Sequence, residues 1–260
     1  MRQFNCNSIS AAVATLFTML PVTHVWADSA PTDGVWSGKG QGGLLISSGN
    51  TNATSLNAKV DLSLTNGPWK HSFSLGGLSG KSAGILTSER AEGRYQLDRK
   101  INDAAFWFGS LDANRDLFSG FNYQATLAAG VGYKFIDTAD TKFSGQAGLG
   151  YQRLQTQQLI KDAAGVVVQR INGEAEGSVV AVAGLNYEQN LSSTTKLLDK
   201  LAVTAGSKNT AVANDLGLAV SMSERLALSV GYGIRYNTKP AAGVKNLDQV
   251  TTVNIVYSFK

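Results

Sequence analysis

Apolar and polar residues alternate along most of this chain. The stretch Phe121 to Phe135 shows the pattern most plainly. Tyr123, Ala125, Leu127, Ala129, Val131, Tyr133 and Phe135 share one face, and Asn122, Gln124, Thr126, Ala128, Gly130, Gly132 and Lys134 share the other. Successive strand side chains point to opposite sides, so a period of two predicts a strand with a greasy face and a wet face. The last stretch, Val250 to Lys260, repeats it, with Val253, Ile255, Tyr257 and Phe259 on its apolar side. Elsewhere the same reading predicts strands at Trp36–Ser48, Thr54–Leu64, Trp69–Gly80, Leu86–Leu97, Ala104–Arg115, Lys142–Gln155, Glu174–Gln189, Thr195–Ser207, Ala211–Ser223 and Leu226–Asn237. Gly49-Asn50-Thr51 and Asn66-Gly67-Pro68 are turn signals. Phe106-Trp107-Phe108 interrupts the alternation and permits no face assignment there, while Thr156–Gly173 and Thr238–Asp248 are expected as the longer loops.

Strands in soluble proteins average about five or six residues. The segments here run to about ten or more, the length a tilted strand needs to cross a hydrocarbon layer. No sustained helical period competes. The expected fold is therefore all-β: an antiparallel transmembrane β-barrel of about twelve strands. Composition agrees, with 16% charged and 43% hydrophobic residues, too polar for a helical membrane protein. An even strand count puts both barrel termini on one side, with short turns there and longer loops opposite. Trp36, Trp69, Tyr95, Tyr133, Phe135, Phe143, Tyr187, Tyr257 and Phe259 fall near strand ends at the first rim, and Tyr123, Tyr151 and Tyr236 near the second, as interfacial belts require. A soluble barrel or sandwich would bury the greasy faces in a core instead. Strand length, rim aromatics and the absence of any helix to cover those faces argue against it.

The beginning of the chain reads as a secretory signal. Arg2 precedes an apolar core at Ile9–Leu20, too short to span a bilayer, and Val25-Trp26-Ala27 has the small-residue pattern of a cleavage site. The expected organisation is a signal peptide at 1–27, cut after Ala27, and a barrel domain at 28–260, delivered to the outer membrane of a Gram-negative cell. An uncleaved anchor is the alternative. Cys6, the single cysteine, lies ahead of the apolar core, so a mature chain has no disulfide or thiol chemistry. The net charge of +4 comes from interspersed residues, with no basic stripe for nucleic acid.

Four stretches carry a family resemblance: Gly49-Asn50-Thr51, Asn114-Arg115-Asp116-Leu117-Phe118-Ser119-Gly120, Gly130-Val131-Gly132-Tyr133, and the terminal Asp248–Phe259 segment. In their order and spacing the chain resembles the salt-induced outer-membrane protein family, a bacterial β-barrel domain of unknown function. The resemblance implies an outer-membrane barrel without an established activity.

No enzyme is expected. His71, the one histidine outside the signal, sits on the greasy face near a rim, so no Ser-His-acid set assembles. Glu92 and Asp112 lie on neighbouring strands, but carboxylates inside a barrel usually pair with basic partners. Gly80-Lys81-Ser82 lacks the upstream glycine and following helix of a phosphate loop. No cofactor or metal is implied. The polar face is the informative set: Lys59, Asp61, Arg90, Glu92, Arg94, Lys134 and Asp215 are expected to line the lumen. About eight strands leave an interior filled with side chains and about sixteen leave a channel, so twelve lies between. The inward Gly130, Gly132, Gly148, Gly150, Gly231 and Gly233 either widen a passage or make room for long side chains. The leading expectation is a narrow passive pore for small polar solutes or ions. The alternatives are a plugged structural barrel and a surface-binding protein using its outer loops. Partners are the lipid bilayer and, transiently, the barrel-assembly machinery reading Tyr257 and Phe259.

Overall fold

A computed structural model describes residues 34–48, 53–82, 85–116, 120–162, 167–240 and 245–259. The expected signal segment, the Gly49-Asn50-Thr51 turn, Leu117-Phe118-Ser119 and Lys260 lie outside them. The described residues form 12 strands: β1 (Val35–Ser48), β2 (Ala53–Asn66), β3 (Trp69–Ser82), β4 (Ile85–Lys100), β5 (Ala105–Asp116), β6 (Phe121–Asp137), β7 (Thr141–Lys161), β8 (Val167–Asn190), β9 (Thr195–Gly206), β10 (Thr210–Ser221), β11 (Leu226–Asn237) and β12 (Leu247–Phe259). Each pairs antiparallel with its neighbour in sequence, and β12 returns to β1 from Gly38↔Phe259 to Ser48↔Gln249, closing the ring. Closure removes the exposed edges that an open sheet would present.

The register shows how steeply the strands tilt. Residues paired side by side lead from Val35, at the start of β1, around the wall to Asn237, at the far end of β11. This stagger is the shear a closed barrel needs. The strands turn tightly at the rim that carries both barrel ends. Asn102 Oδ1 accepts from the backbone N–H of Ala104 and Ala105 at 2.9 and 2.7 Å. Thr138, Ser192 and Ser223 hold their turns in the same way, by a hydroxyl that accepts from backbone N–H groups two or three residues on. At the β2–β3 turn Gly67 adopts φ 55°, a left-handed conformation that suits glycine.

The greasy face points outward. Leu56, Leu75, Leu127, Leu149 and Val179 are among its most exposed side chains, between 64 and 72%. Only a hydrocarbon surround accommodates such a surface without a cost. Aromatic rings gather at the terminal rim: Tyr133, Phe135, Phe143 and Tyr187 form one chain of ring contacts, and Phe73 packs on Tyr95. Tyr257 and Phe259 belong to the same rim and the same outward face.

Two sequence expectations change. Phe106-Trp107-Phe108 does alternate: Trp107 is outward and 56% exposed, while Phe108 is inward and 3% exposed. The aromatic at every position hid the parity. The expected loop Thr156–Gly173 is mostly strand, because β7 and β8 stay paired from Gln157↔Asn172 to Lys161↔Val167. β6 and β9 do not follow it: β6 stops at Phe121↔Thr156, and β9 pairs with β8 only as far as Val180. The ribbon stands beyond its flanking strands and has no greasy face to keep, so its sequence carries no alternation.

Candidate functional site

The wet face is turned inward, and one contact establishes the direction. Gln96 on β4 donates from Nε2 to Gln146 Oε1 on β7 at 3.2 Å, although β5 and β6 stand between them. Three strand spacings of about 4.8 Å separate those backbones along the wall, and side chains converge over that span only on the concave side. Register then places the rest. Arg94 pairs with Asp112, Glu92 with Asn114 and Arg90 with Asp116 on β4 and β5. Lys39 faces Asp61, and Gln41 faces Lys59, on β1 and β2. Lys200 faces Asp215 on β9 and β10.

Inward glycines crease this wall at two places. A methyl group at Gly43 on β1 would press into the Val253 carbonyl oxygen on β12, 2.7 Å from Asn254 Cα. Methyl groups at Gly130 and Gly148 would press into the Ala147 and Ala129 carbonyl oxygens across the β6–β7 pair. Backbones approach this closely only where the sheet bends sharply inward. The β1–β12 and β6–β7 junctions lie half a ring apart. The two creases divide the ring into two arcs, β1–β6 and β7–β12. At the β6–β7 crease the space is filled rather than open: the Phe106 ring lies over Gly132, and Phe108 sits opposite Gly130.

The charges occupy the two arcs. On β1–β6, Arg94 Nη1 donates to Asp112 Oδ1 at 2.7 Å and Arg90 reaches Asp116 at 3.0 Å. Lys59 stands 4.0 Å from Asp61 and 3.9 Å from Glu92. On β7–β12, Arg235 Nη2 donates to both oxygens of Asp215, at 2.7 and 2.9 Å. A side-chain contact joins the two arcs across the interior, from Gln96 on β4 to Gln146 on β7.

All seven polar residues singled out in the sequence follow the inward parity, and six of them lie along the wall of these arcs. Lys134 stands near the end of β6. It follows the inward parity but pairs with Asp137 at 2.8 Å, at the terminal rim, because the register shifts between Lys134 and Ile136 as the strand turns. Sequence reasoning missed Lys39, Lys200, Asp116, Arg235 and Asp248. Parity within their strands was the available signal, but nothing in one strand tells which others it faces. The Glu92/Asp112 idea also resolves: Arg94 takes Asp112, and Glu92 turns to Lys59. His71 accepts or donates at Nδ1 with the Tyr95 hydroxyl at 2.9 Å on the outward face. No group of three His, Cys, Asp or Glu side chains suited to a metal gathers among the described residues.

Comparison with known proteins identifies the family. Residues 41–259 match the family described as "Protein of unknown function, DUF481", and the chain belongs to it. A relative from Escherichia coli (strain K12), "Uncharacterized protein YdiY", is 23% identical over 255 residues, covering 96% of this chain and 91% of that protein. Among solved structures, the NanC porin aligns with a TM-score of 0.52 at 11% identity, over 86% of this chain and 100% of that one. The COG4313 outer membrane channel from Pseudomonas putida F1 aligns at 0.45 and 10% identity, over 90% of this chain and 100% of that one. The likeness to the NanC porin is one of barrel fold.

Proposed function

We propose that this member of the family is an outer-membrane channel: a narrow, water-filled passage for small polar solutes or ions, and not an enzyme. The observation that carries the reading is the hydration of the interior charges. Arg94, Glu92 and Asp215 keep 41, 42 and 54% of their side-chain surface open to water while pointing into the ring. A plugged barrel would bury them. Lys59, Asp61, Arg90, Glu92, Arg94 and Asp215 line the passage in this reading, and Lys134 sits at its mouth. The chain reaches the outer membrane by a signal cut after Ala27. Tyr257 and Phe259 serve as the assembly signal. The aromatic rim and the apolar outer band support a bilayer setting.

The test is single-channel recording of the purified chain refolded into a planar bilayer. Discrete, reproducible steps are expected. A silent membrane with a folded barrel would overturn the reading and leave a structural or surface-binding barrel. The tall β7–β8 ribbon favours that second role, since Val168 and Ile171 are 61 and 45% exposed on it.

A further inference from the structure

An apolar groove and a carboxylate adjoin on the outward face of the barrel, near the terminal rim. The groove holds about 600 Å³ and runs across β5–β9. Pockets that take a small organic ligand span about 300–1,000 Å³, so this is more than surface roughness. The local sequence makes it. Ala147, Ala183 and Val203 fall side by side on β7, β8 and β9, and their short side chains leave a depression. Leu185 and Leu201 continue it toward the rim. There Phe135 and Leu185 lean in over Gly145, where a methyl group would stand 2.9 Å from the Phe135 ring and 3.0 Å from Leu185.

Asp199 is the next outward residue on β9 beyond Leu201, about 7 Å along the strand. It pairs in the ladder with Tyr187, whose ring belongs to the terminal aromatic rim. Aromatic rims mark the headgroup level, so the carboxylate stands there while the groove descends into the hydrocarbon. Asn214 donates to Asp199 Oδ1 at 2.7 Å, and among the described residues no ion pair meets this carboxylate. Lys200 follows it in the chain but points inward by parity.

A carboxylate facing lipid is costly unless a cation or a donor meets it. A bare hydrocarbon chain would fill the groove and leave the charge unmet. A second copy of the barrel would offer it another apolar face. A phospholipid with an ammonium headgroup satisfies both features, with its chain over Ala147 and Ala183 and its N–H groups donating to Asp199.

We propose that the groove and Asp199 form a binding site for one phospholipid bearing a primary ammonium headgroup. The inference rests on the bilayer setting of the proposed function and is independent of conduction.

The experiment is native mass spectrometry of the full chain, folded and purified in detergent, with equal amounts of phosphatidylethanolamine and phosphatidylglycerol carrying identical chains. The expected spectrum shows one lipid retained per barrel, with phosphatidylethanolamine favoured about fivefold, the upper range for an exposed ion pair. Asp199→Asn removes the charge at constant shape and should bring the two lipids close to equal retention. Ala147→Leu with Ala183→Leu fills the groove and should release both lipids, with the gel-shift of the folded barrel unchanged. A folded wild-type barrel that retains no lipid, equal retention of the two lipids by wild type, or an Asp199→Asn variant with the wild-type preference would overturn the site and leave the bilayer setting standing. So would a second copy of the chain held in place of lipid. A folded chain that stays soluble without detergent would overturn the bilayer setting, and the site with it.

Discussion

A single methyl group at the crease tests the close approach of β6 and β7. In Gly130→Ala the new carbon would stand 2.5 Å from Gly148 Cα and closer still to the Ala147 carbonyl oxygen. Carbon atoms in good contact sit about 3.5–4.0 Å apart, so the shortfall is about 1 Å. The obstacle is backbone on a paired strand, and no rotamer change relieves it. β7 must move away or the β6–β7 ladder must lengthen. Overpacking in well-ordered protein costs about 1–3 kcal/mol, and a backbone obstacle puts this variant at the upper end, about 3 kcal/mol. Gly217→Ala is the matched control. It is also inward, on β10, but its methyl would meet nothing nearer than the Val230 carbonyl oxygen at 3.9 Å. The assay is urea unfolding of both variants in lipid vesicles, followed by the gel-shift of the folded barrel. Gly130→Ala should unfold at clearly lower urea than wild type, with Gly217→Ala close to wild type. Equal midpoints for the two variants would refute the crease.

Three further outcomes follow from the same geometry. Phe259→Asp places a charge in the terminal aromatic rim and should lower the amount of heat-modifiable barrel in outer-membrane fractions; an unchanged amount would contradict the assembly role. Arg90→Glu with Arg94→Glu removes the guanidinium groups that Asp116 and Asp112 hold and should move the reversal potential toward cation preference; an unaltered value would count against a conducting interior lined by β4. Asn214 donates to Asp199 at 2.7 Å on the outward face, beside Leu201 and Leu216. Replacing both with leucine should be neutral or raise stability by about 1 kcal/mol, since a matched pair of polar groups is removed together. A drop in the urea midpoint would show instead that the pair holds β9 to β10.

Legibility in the sequence followed the environment of each segment. Where one side meets hydrocarbon and the other water, alternation is enforced, and strands such as β6 and β11 match their expected starts. Where both sides meet water, as on the β7–β8 ribbon, nothing enforces alternation and the strands read as loop. Where both sides are aromatic, as at Phe106–Phe108, parity is hidden although the strand is present. The ion pairs Arg94–Asp112 and Arg90–Asp116 needed the register of β4 on β5, which the 101–104 turn sets and which alternation within one strand does not record.

By itself the sequence determined that this chain makes long two-faced strands, that an even number of them closes into a membrane-spanning barrel, and which residues face inward. Each of these depends on neighbours one or two positions away, and a local pattern records them. Only the tertiary structure decided which inward residues meet. Gln96 reaches Gln146 across two intervening strands, and Asp215, opposite Lys200 in the ladder, is taken by Arg235. Such meetings depend on the stagger accumulated around the whole ring and on creases where glycines from different strands coincide. They are sums over every strand pair, and no single stretch of sequence contains them.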